Sequence, residues 1–63
     1  MTYRDIKKLV AHMVGTLGEG HARHAFRQSI INDMQLHGGF SAVGAEQVVD
    51  QLERHEIKKM KKA

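Results

Sequence analysis

The chain has 63 residues, 41% of them hydrophobic and 27% charged, with no Cys, no Pro and a formal net charge of +3. That length holds one domain at most, taken here as 1–63, and the composition is that of a globular chain and not a disordered one. Zero Cys excludes disulfides and thiolate metal sites, no apolar run approaches the ~18 residues of a membrane span, and the opening MTYRDIKK lacks the apolar core of a secretory leader. A cytoplasmic protein is the expectation.

A domain this small buries on the order of 6,000 Å² on folding. With about 60% of that apolar, burial contributes about 90 kcal/mol at ~25 cal/mol/Å². Conformational entropy at ~1.5 kcal/mol per residue opposes it by about the same amount. With disulfides excluded, self-association is the remaining support, and a homodimer is expected.

Thr2 to Leu17 reads as the first helix, with Thr2 as its cap and Asp5 at the capping-box position. Tyr3, Ile6, Val10, Met13 and Leu17 recur at spacings of three and four, and Leu9 and Val14 widen the stripe. Gly18-Glu19-Gly20 is short enough to fold the next helix back as an antiparallel hairpin.

The second helix begins after Gly20 and stops at Gly38-Gly39. At 100° per residue, Ala22, Ala25, Phe26, Ser29, Asp33, Leu36 and His37 share one side. Ile30, Ile31 and Met34 spread onto a neighbouring side, and Arg23, His24, Arg27, Gln28, Asn32 and Gln35 fill most of the rest. A stripe plus a second patch predicts two neighbours for this helix. The phasing puts Phe26 in the core. It also puts Asp33 inside the apolar arc, buried or half-buried, where a carboxylate needs a partner such as His37 one turn on.

Ser41 is the expected cap of a third helix from Ala42 to about Lys59, with Ala45, Val48, Val49 and Leu52 inward and an Asp50–Arg54 pair outside. A short extended segment over 40–43 is the competing reading, because Phe40 to Val43 alternate between glycines. The fold class is therefore all-α: a helical hairpin plus a third helix, assembled as an intertwined homodimer.

Few residues suggest chemistry. His21 and His24 stand one turn apart, but a metal site would need His12 or Glu19 as well, and the spacing matches no known ligand set. No metal or cofactor is expected. Asp33 with His37 could act as acid and base. No nucleophile or oxyanion motif stands beside them, so the pair reads as a polar contact that fixes helix register. The chain is not expected to be an enzyme.

Lys7, Lys8, Arg23, Arg27, Lys58, Lys59, Lys61 and Lys62 could meet phosphates, although one Tyr, two Phe and no Trp provide no stacking platform. Phe26, Ile30, Ile31, Asp33, Met34, His37, Phe40, Val43, Val48 and Leu52 are the candidate dimer or partner interface. Ile57 and Met60 add apolar surface beyond what a lone three-helix monomer needs.

In size and in lack of catalytic equipment the chain resembles the small accessory proteins of bacteria and their phages, a resemblance of type that transfers no residue. The function expected is regulatory protein–protein interaction through an apolar helical surface, with itself and with another protein. The alternative is a small basic nucleic-acid-binding module, similar to a transcription regulator. No membrane partner is implied.

Overall fold

Thr2 starts the first helix through both halves of a capping box. Its hydroxyl accepts from the Asp5 N–H at 3.3 Å, and its own N–H donates to an Asp5 carboxylate oxygen at 3.2 Å. Two of the N–H groups that a helix start leaves without partners are satisfied in this way. The computed structural model describes residues 2–62, with side chains to Lys61. Its three helices are α1 (Tyr3–Thr16), α2 (His21–His37) and α3 (Ala42–Lys62), and no strand occurs among the described residues. The all-helical expectation holds and the extended reading of 40–43 does not, since Ala42 and Val43 already belong to α3.

At the end of α2 the Met34 carbonyl accepts from both the Gly38 N–H (2.9 Å) and the Phe40 N–H (3.3 Å). The chain turns out of the helix through Gly39 at φ 72°, a left-handed conformation that glycine adopts without steric cost. The Phe40 ring folds back over Gly38, so closely that a Cβ there would lie 3.0 Å from the ring and 2.8 Å from the Met34 carbonyl oxygen. Ser41 then caps α3, its hydroxyl accepting from the Gly44 N–H at 3.0 Å.

The core joins all three helices. Ile6, Val10, Met13 and Val14 come from α1, Ile30, Ile31 and Met34 from α2, and Ala45, Val49 and Leu52 from α3. Leu9, Leu17, Phe26, Phe40, Val48 and Ile57 pack half-buried around it. The inward faces expected for α1 and α3 are found, with two differences. Tyr3 is 58% exposed at the open end of α1, and α3 continues beyond Lys59 to Lys62 with Ile57 still against the core.

The phasing of α2 is corrected. Its buried side is the second patch, Ile30, Ile31 and Met34, whereas Ala22, Ala25, Ser29, Asp33, Leu36 and His37 face solvent. Apolar area decides this. Two isoleucines and a methionine remove more apolar surface from water than two alanines, a serine and one leucine, at ~25 cal/mol/Å², and they do so without burying Asp33. Phe26 lies at the edge of the buried side, half-exposed, 6.2 Å from the His12 ring.

Candidate interaction surfaces

The buried side of α2 continues towards its N-terminus through Arg27 and Arg23, four and eight residues before Ile31. Both are only partly exposed, because α3 packs along that side. Arginine tolerates such a place when its stem lies on apolar surface and its head finds an anion. The anion is Glu53 of α3. Arg27 Nε is 3.4 Å from one of its carboxylate oxygens and Arg23 Nε is 3.8 Å from the other. The three side chains are 22%, 12% and 16% exposed. Two guanidinium groups thus share one carboxylate on the α2–α3 seam. The Arg23 Nε–H is buried and has no hydrogen-bond acceptor.

Helical periodicity alone does not mark Glu53 as a contact residue. A signal for it existed: an i,i+4 arginine pair on one helix and a glutamate one position past Leu52 on another. Only the register between the two helices turns that into a contact.

Arg23 borders two open grooves. The larger, of about 350 Å³, lies between the end of α1 and the end of α3 and is lined by Val14, Leu17, Gly18, Glu19, Arg23, Ile57, Met60 and Lys61. The neighbouring one, of about 270 Å³, runs past Glu19, Gly20, His24, Arg27, Glu53 and Ile57. In the larger groove Val14 forms the floor, Leu17 and Ile57 are half-buried, and Met60 is 57% exposed.

The outward face of α2 is a second surface. Ala22, Ala25, Gln28, Ser29, Asn32, Gln35 and Leu36 are all exposed, and none of them is ionisable. Leu36 is 69% exposed.

The residues expected at an interface divide accordingly. Ile30, Ile31, Met34 and Leu52 are committed to the chain's own core, and Phe26, Phe40 and Val48 are packed around it. In the single chain Ile30, Ile31, Met34 and Leu52 are thus taken up by the core, whereas Phe26, Phe40 and Val48 keep part of their surface open. Val43, at 64% exposed, stands free on the first turn of α3. Asp33 and His37 do pair, at 3.9 Å, but on the surface with side chains 51% and 70% exposed. The buried Asp33 is therefore corrected as well.

Of the described residues expected to meet phosphates, Arg23 and Lys61 line the same groove. Arg23 and Arg27 are turned to Glu53. Lys7 Nζ lies 5.9 Å from the centre of the Tyr3 ring on α1, and Lys8 is exposed beside it. Lys59 pairs loosely with Glu56 at 4.0 Å, and Lys58 and Lys61 are exposed near the end of α3. The Lys62 side chain lies outside the described residues.

Among the described residues no three His, Asp or Glu side chains come together as metal ligands. His12 approaches Phe26 and the Thr16 hydroxyl, while His21 and His24 are exposed. No described helix is long and apolar enough to cross a membrane. No protein-family model, curated protein or solved structure matches the chain.

Proposed function

We propose that this chain is a small regulatory or accessory protein that acts by protein–protein interaction, as a homodimer, through the outward face of α2. One observation carries the reading: Ala22, Ala25, Gln28, Ser29, Asn32, Gln35 and Leu36 form an uncharged arc open to solvent, with Asp33 and His24 at its two edges. The outer side of a surface helix is ordinarily charged. Small residues here let a second helix approach closely, and Leu36 supplies an apolar knob.

The face is self-complementary. In a two-fold, antiparallel contact centred on Ser29, Leu36 of one copy lies against Ala22 and Ala25 of the other, as an isologous interface requires. In this reading α1 and α2 form an antiparallel hairpin whose inner side is core and whose outer side is interface. The near-zero stability balance of so short a chain points the same way.

Sedimentation equilibrium tests it. The wild type is expected at twice the 7.1 kDa of one chain at micromolar concentration, and Leu36→Glu, an exposed position, at the single-chain mass with its helical circular dichroism kept. A wild type at 7.1 kDa at every concentration, with a melt independent of concentration, overturns it.

A further inference from the structure

We propose that the groove between the end of α1 and the end of α3 is a docking site for an acidic amphipathic helix of a partner protein. It is a different surface from the outward face of α2, and the proposal does not depend on dimerisation.

The groove lies where α1 gives way to the connection that follows it, so that Val14, Leu17, Gly18 and Glu19 face Ile57, Met60 and Lys61 on the last turns of α3. Ile57 and Met60 therefore present apolar side chains next to Leu17 and Val14. An amphipathic helix laid into such a groove anchors through side chains spaced three and four apart.

The rim states the charge of the partner. Arg23 stands on one wall and Lys61 on the other, with Lys58 one turn before Lys61, against the single acidic lining residue Glu19. Arg23 also shares the Glu53 carboxylate with Arg27, which holds it at the shorter distance. Its buried Nε–H has no acceptor. A carboxylate entering from the groove meets the exposed 12% of the Arg23 side chain, not its buried Nε, and brings a second negative charge to the two arginines; charge-assisted hydrogen bonds of this kind are the strong ones. A second copy of this chain is a poor occupant, because a two-fold contact here sets Lys58 and Lys61 of one copy against the same lysines of the other. A nucleic-acid backbone would answer the charge and leave the apolar floor unused.

The test is fluorescence polarisation on the full chain with three labelled probes: a helical peptide with Leu at i, i+3 and i+7 and Glu elsewhere, the same peptide with Lys for Glu, and a DNA duplex. The Leu/Glu peptide is expected to bind about tenfold or more tightly than the Leu/Lys peptide, a difference of about 1.4 kcal/mol. Met60→Glu and Lys61→Glu, both at exposed positions, should each weaken it about tenfold with helical circular dichroism and sedimentation mass unchanged. Equal binding of the two peptides, no binding of the Leu/Glu peptide at about millimolar concentration, or indifference to Met60→Glu overturns the proposal. So does a duplex that binds more tightly than the peptide with a steep salt dependence.

Discussion

Arg27 Nε lies 3.4 Å from a carboxylate oxygen of Glu53, which makes an arginine of α2 and a glutamate of α3 part of the seam that closes the bundle. The same carboxylate faces Arg23 at 3.8 Å. Taking it away leaves two largely buried guanidinium groups side by side. Losing one member of a buried pair costs about 3–5 kcal/mol and losing an exposed partner about 0–1 kcal/mol. With 12–22% of these side chains exposed, we expect Glu53→Gln to cost about 2 kcal/mol in urea melts. A double change with Arg27→Ala should be less than additive. A cost under about 0.5 kcal/mol would mean that the seam is wet in solution.

Core position ranks Met34 above Phe26. Met34 is fully buried among all three helices, whereas Phe26 is half-exposed at the edge of the core. Met34→Ala should therefore cost about 2–5 kcal/mol, and Phe26→Ala less, in spite of its larger ring. Thermal melts that reverse the order would put Phe26 inside and return α2 to the phasing read from sequence.

Asp33 contributes little to the fold of one chain. Its side chain is 51% exposed, and its contact with His37 is a surface pair between neighbouring turns. Asp33→Ala, Asp33→Asn and the double change with His37→Ala should all remain within about 0.5 kcal/mol of the parent. A loss of about 3 kcal/mol for either single change would show that the carboxylate is covered in solution.

Asp5 makes the start of α1 sensitive to acid. The Thr2 N–H, and then the Thr2 hydroxyl contact, hold its carboxyl below the ordinary value of 3.8. A group whose pKa is lowered on folding stabilises the fold at pH above its unfolded value, and that contribution is lost as pH falls through the folded pKa. The stability difference between wild type and Asp5→Asn should thus be constant above pH 5 or so and shrink below 3.8. A carboxyl carbon resonance of Asp5 with its midpoint at or above 3.8 would contradict the capping geometry.

The sequence alone determined what is local. The all-helical class, both Ser/Thr caps, the double-glycine stop and most of the inward stripes of α1 and α3 follow from nearest-neighbour chemistry and 3.6-residue periodicity and are found; Tyr3 is exposed, and α3, expected to be short or irregular, is the longest helix. On α2 two faces competed. The buried one follows a regular helical spacing through Arg23, Arg27, Ile30, Ile31 and Met34, but two of its five members are cations, so a reading by polarity passed over it. Arginine can sit there only because Glu53 stands opposite, 26 residues after Arg27, and nothing within one helix encodes that register. Tertiary packing therefore settled which side of α2 is core, moved Asp33 into water and Arg23 onto the groove. The physical reason is that burial and ion pairing between helices are pairwise properties, summed only when the helices meet.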